Sequence, residues 1–145
     1  MTIKSILDAK GRNVETIGPD TTVDQASRLM RAKRIGALVV VDDSGRIAGI
    51  VSDRGLLWEL VDHGVAVLQE PLSRVMTKQV VTCSECDEVS SIMGVMTERR
   101  IRHIPVVDDD GRLGGLVSIG DAVKHRLDQI EHEAEAMREY IVNAR

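Results

Sequence analysis

The sequence predicts an α/β (α+β) chain of two tandem β-α-β-β-α units packed about a pseudo-twofold axis, followed by a long C-terminal helix. Three observations predict this. Sliding the 145-residue sequence by 66 positions aligns residues 14–57 with 80–123 without a gap, and 15 of the 44 pairs are identical. Within each copy the apolar residues switch between helical and strand spacing in the same order. Residues 121–145 contain neither Pro nor Gly. A repeat of this kind outranks local propensity, because one unit of roughly 50 residues buries too little surface to stand alone and needs its neighbour.

Each element follows from local pattern. The short runs VETI (14–17) and VVTC (80–83) read as opening strands. Asp20, Thr21 and Thr22 in the first copy, and Asp87 and Glu88 in the second, are helix-start residues. The stripes that follow are Val23, Ala26, Met30 and Val89, Ile92/Met93, Met96, spaced i, i+3, i+7. ALVVVD and HIPVVD are β-branched runs of strand length. DDSGR and DDDGR are turns with glycine where a positive φ is needed. IAGIVS and LGGLVS return as the second arms of hairpins, and a second helix starts after each Ser. The expected partition is 1–68 for the first unit (core 14–62), 69–125 for the second (core 80–125) and 126–145 for a helical tail. Along that tail Val123, Leu127, Ile130, Ala134, Met137 and Ile141 form a heptad seam. It packs either on its own module or on a second chain.

Composition narrows the function. Aromatic side chains amount to one Trp and one Tyr, and the net charge is −4. Base stacking by exposed rings and a broad basic footprint are both missing, so nucleic acid is not the expected partner. No apolar run approaches the ~20 residues of a membrane span, and the N-terminal stretch lacks the apolar core of a signal peptide. The expected location is the cytoplasm. Cys83 and Cys86 form one CxxC, half of a typical zinc set, and no second pair accompanies it. A redox pair between strand and helix stays open beside a reading as two loop thiols. No phosphate loop of the GxxxxGK[ST] type and no Ser-His-Asp set is present, so catalysis is not expected.

IRHIPVVDDDGRLGGLVSIGD in the second copy and RIGALVVVDDSGRIAGIVSDRG in the first, with the openings VMTKQVVTCSECDEV and GRNVETIGPDTTV, resemble a cystathionine-β-synthase (CBS) domain pair, the Bateman module. The resemblance covers nearly the whole chain. It implies a stand-alone regulatory module that binds adenine nucleotides (AMP, ADP, ATP or NAD(H)) between its two units and acts on another chain. It also implies a homodimer.

Residue chemistry supports such a site independently. Ribose offers two hydroxyl donors, and the Asp121 carboxylate, three residues after Ser118 at a helix start, is an acceptor for both. Ser118 and the free N–H groups of that helix suit a phosphate, although Ser-x-x-Asp is also an ordinary N-cap. By the resemblance, Thr77 approaches sugar and phosphate, and the backbone at Val81 meets the adenine edge. Ile101, Arg102, His103 and Ile104 line the base pocket and reach toward phosphate. Arg102 offers a planar fork to phosphate oxygens, and His103 brings pH sensitivity around ~6.5. The second cleft keeps Ser52 but has Gly55 where the carboxylate belongs. Lys10, Ile35, Gly36, Ala37 and Arg54 complete it, giving a roomier, more basic space. It is either degenerate or takes the far half of a larger ligand such as NAD(H). Competing readings are an interaction scaffold with vestigial clefts and a thiol sensor at Cys83 and Cys86.

Overall fold

The computed structural model describes residues 1–144. Its elements are α1 (Ile3–Lys10), β1 (Thr16–Ile17), α2 (Val23–Lys33), β2 (Ala37–Val41), β3 (Ile47–Ser52), α3 (Asp53–His63), a 3-10 turn at Val65–Gln69, α4 (Leu72–Val75), α5 (Val89–Arg99), β4 (His103–Val107), β5 (Leu113–Ser118) and α6 (Ile119–Asn143). The mixed α/β architecture with its long terminal helix is the one the repeat predicts.

The two copies agree in fine detail. β2 and β3 pair antiparallel, as do β4 and β5, and each hairpin shifts register at the same point, between Val40 and Val41 and between Val106 and Val107. Arg34 and Arg100, one repeat apart, are the two non-glycine residues with positive φ (both 55°) among those described. Each ends a helix in the left-handed conformation that usually falls to glycine. Arg46 bridges to Arg112, its own repeat partner, as expected where a pseudo-twofold axis passes between them.

The copies differ at their openings. β1 pairs in parallel with β2. In the second copy the expected strand at 80–83 shrinks to a single bridge from Cys83 to Val106, with Cys83 N–H donating to Pro105 O at 3.0 Å. Thr22 caps α2 in a capping box with Gln25, whereas Glu88 caps α5 with no side-chain bond.

Helix α1 and the short helix α4 were not read from the sequence, and they cross the chain-order partition at 68/69. Ile3, Ile6 and Leu7 of α1 are buried in one core with Cys83, Val89, Ile92, Met96, Ile104, Val106, Val117 and Ala122 of the second unit. Leu72 of α4 is buried in the other core, with Val23, Ala26, Met30, Leu38, Val40, Val51 and Leu56 of the first. Each unit is therefore roofed by the segment that precedes the other unit's opening. Glycine permits this closeness. A Cβ on Gly49 would lie 2.6 Å from Met76 Sδ and 2.9 Å from Thr77 O, and one on Gly115 would lie 2.8 Å from Leu7.

α6 runs unbroken from Ile119 through the expected tail. Only its first turns meet the module. Val123, Leu127, Ile130, Met137 and Ile141 remain exposed.

Candidate functional site

A cleft of about 670 Å³ lies between the two units. Its first wall is the end of β3 and the start of α3: Ile50, Ser52, Arg54, Gly55, Trp58 and Glu59. The second is the segment before α5: Thr77, Gln79, Val80 and Val81. The third is the end of α5 and the entry to β4: Arg99, Arg100, Ile101, Arg102 and His103. Backbone pairing places the walls. Ile50 and Thr77 exchange two N–H···O bonds of 3.0 Å, which seats 77–81 beside β3. Ser52 ends β3 in extended conformation and accepts the Gly55 N–H at 3.0 Å, which starts α3 pointing into the cleft.

This arrangement regroups the predicted residues. Thr77, Val81, Ile101, Arg102 and His103 share this cleft with Ser52 and Arg54, whereas Ser118, paired with His103 across the β4–β5 hairpin, and Asp121 are not part of its lining. The strand beside Thr77 belongs to the first unit because α4 docks there. Ile104 is fully buried in the second core, and Ala37 is buried at the head of β2. Ile35 and Gly36 line a separate groove of about 600 Å³ between α2 and α3. Ser118 and Asp121 cap α6 reciprocally: Asp121 N–H donates to Ser118 Oγ at 3.1 Å, and Ser118 N–H donates to Asp121 Oδ2 at 2.9 Å. The same Oδ2 holds Lys10 Nζ at 2.5 Å, and Lys10 also reaches Leu116 O at 2.8 Å. The expected ribose clamp thus carries an ammonium from α1.

Cations dominate the open cleft. Arg54, Arg99, Arg100 and Arg102 line it against one carboxylate, Glu59, among the described residues. Two arginines are also struts. Arg54 Nη2 donates to Arg100 O at 2.6 Å, and Arg102 Nη2 pairs with Asp53 Oδ1 at 2.6 Å, so both tie one unit to the other. A concave site with several guanidinium groups recognises phosphate or another multiply charged anion.

His103 sits between the two ion pairs. Burial lowers its pKa, and Arg102 and Lys10 add to the lowering while Asp53 and Asp121 oppose it. The neutral ring is favoured, so its titration moves below the ~6.5 expected from sequence. For Asp121, burial pushes the carboxyl up, but the hydrogen bonds from Lys10 and Ser118 outweigh it and hold the group below its ordinary value. Burial drives the Cys83 thiol up to about 12, and Cys86 is exposed. Cys83 keeps its proton at neutral pH and is no thiolate nucleophile, which weakens the thiol-sensor reading. Among the described residues no group of three or more His, Cys, Asp or Glu is placed to hold a metal ion. No helix among them is long and apolar enough to cross a membrane.

Trp58 and Glu59 were missed by sequence reasoning. Their signal was present: Gly55 and Glu59 stand one turn apart on one helix face, and the chain's single Trp sits beside them.

Two interlocked α/β units with a basic cleft between them define a tandem-repeat module. The chain belongs to the CBS-domain family, whose domain model matches residues 4–62 and 72–128. It is similar to the CBS-domain containing protein ATU1752 from Agrobacterium tumefaciens (43% identity, 86% of this chain and 92% of that one, TM-score 0.83). It is also similar to the mitochondrial CBS domain-containing protein CBSX3 of Arabidopsis thaliana (32% identity, 97% of this chain and 71% of that one). A crystal structure of CBSX2 in complex with AMP superposes with TM-score 0.74 at 28% identity, covering 90% and 98% of the two chains.

Proposed function

We propose that the chain is a regulatory module that binds an adenine nucleotide in the cleft between α3 and residues 77–81. The observation that carries this is the cleft itself, about 670 Å³ with four arginines and one carboxylate along its walls. The AMP complex of the similar CBSX2 module supports adenosine monophosphate as the first ligand to try. In this reading the bases stack toward Ile101, Val81 and Trp58, and the phosphates meet Arg99, Arg100 and Arg102. Stoichiometry is one per chain, because Lys10 occupies Asp121 on the other side. Larger members of the class, ATP and NAD(H), compete for the same cations. Ligand contacts at both units bias their relative rotation, and a second chain reads that rotation. The partner copy in a homodimer covers the exposed stripe of α6. The role is binding without catalysis, in the cytoplasm.

The chain's single Trp lines the cleft, so its emission reports occupancy directly. Titration with AMP, ATP, NAD⁺ and NADH should change Trp58 fluorescence and give micromolar affinity for at least one of them. Arg102→Ala should weaken that ligand about tenfold or more. Silence with all four ligands, in fluorescence and calorimetry alike, would favour the scaffold reading.

A further inference from the structure

The first unit drops the carboxylate at position 55, yet the cleft that contains Gly55 is the open one. A nucleoside there presents two ribose hydroxyls with no partner at the expected place. The cleft supplies one other acceptor of the right kind. Glu59 lies four residues after Gly55 on α3, on the same helix face. Helical side chains lean toward the N-terminus, so residue 59 can cover the surface over position 55. Gly55 leaves that surface clear: the one atom within 4 Å of an added Cβ would be Ser52 Oγ, at 3.0 Å.

Glu59 is also free to move. Its present contact is His63 Nε2 at 3.4 Å, with the His63 side chain 66% exposed. An exposed contact of this length is weak and is readily exchanged for two hydroxyl donors. The Glu59 side chain is only 32% exposed, and its carboxylate is the single acid among the described residues that line the cleft.

We propose that Glu59 is the ribose acceptor of the open cleft, displaced by one helical turn from position 55, and that it makes the site selective for ribose over deoxyribose. This rests on the nucleotide reading above. Both hydroxyls then donate to one carboxylate, while the arginines hold phosphate on the opposite side. Position 59 sets sugar specificity and leaves phosphate affinity to the cations.

The test compares AMP with 2′-deoxy-AMP by calorimetry on the full chain. The parent should prefer AMP about tenfold, the worth of a hydrogen bond to a charged group. Glu59→Ala should bring the ratio near one while keeping most of the affinity for 2′-deoxy-AMP. Gly55→Asp added to Glu59→Ala should restore the preference, since a carboxylate then returns to the vacated turn. Gly55 is exposed and Glu59 partly so, and circular dichroism checks folding of each variant. A parent that binds both nucleotides equally overturns the proposal while the nucleotide reading survives. So does a preference that persists in Glu59→Ala. Binding of neither nucleotide overturns the proposal, and silence with ATP, NAD⁺ and NADH as well overturns the nucleotide reading too.

Discussion

Lys10 and Asp121 show how one contact changes the meaning of a motif. A carboxylate three residues after a helix-capping serine is an acceptor in waiting. Here it is already engaged, by Ser118 N–H and by the ammonium of Lys10. Because the folded carboxyl titrates below its ordinary value, its contribution to stability is present above the unfolded pKa of ~3.9 and fades as pH falls through the lower folded one. Asp121→Asn keeps a capping oxygen and loses the ion pair. It should cost about 1 kcal/mol at pH 7, modest because the pair is partly exposed. Urea midpoints at pH 7 and pH 3 should show that difference and then its narrowing. His103 has the same sign for another reason. A ring kept neutral by burial destabilises the fold only when acid protonates it below ~6.5.

Among the elements, the repeat made the hairpins, the main helices and their turns legible, because composition and spacing recur one period apart. The left-handed arginines at 34 and 100 follow the same frame. What stayed hidden was docking. IKSILDAK carries Ile3, Ile6 and Leu7 at helical spacing, which announces a helix, but spacing does not say which core receives it. That choice decides which serine Thr77 faces, so residues such as Thr77, Arg102 and Ser52 could be singled out one by one while their grouping could not. The close approaches that fix the docking are testable. Gly49→Ala should destabilise by about 1–3 kcal/mol, because its methyl would strike the Thr77 backbone as well as Met76. Gly115→Ala should cost less, since only the flexible end of Leu7 must yield. Denaturant titration with an unchanged slope would show both as losses of native packing.

At the scale of the molecule, α6 leaves much of its apolar stripe uncovered. Val123 and Ile130 are 43% and 46% exposed, and Leu127, Met137 and Ile141 more so. Leu57, Trp58 and Val61 on α3 are exposed as well. The heptad spacing of the α6 stripe suits a second helix of the same kind. Sedimentation should therefore find a dimer, and Leu127→Asp with Ile130→Asp should release monomer without loss of the nucleotide signal. A monomeric parent would leave the stripe to another chain.

The crosswise roofing by α1 and α4 also sets an order of events in synthesis. Lys10 and Asp121 are 111 residues apart in the chain, yet they touch. Helix α1 is made before both units, yet it belongs to the core that is completed last. The first unit can close once Leu72 has emerged, while Ile3, Ile6 and Leu7 wait in the open for Val117 and Ala122. Contacts so distant in sequence close slowly. A nascent chain from which residues 1–80 have emerged would carry one finished unit and one orphaned, sticky leader.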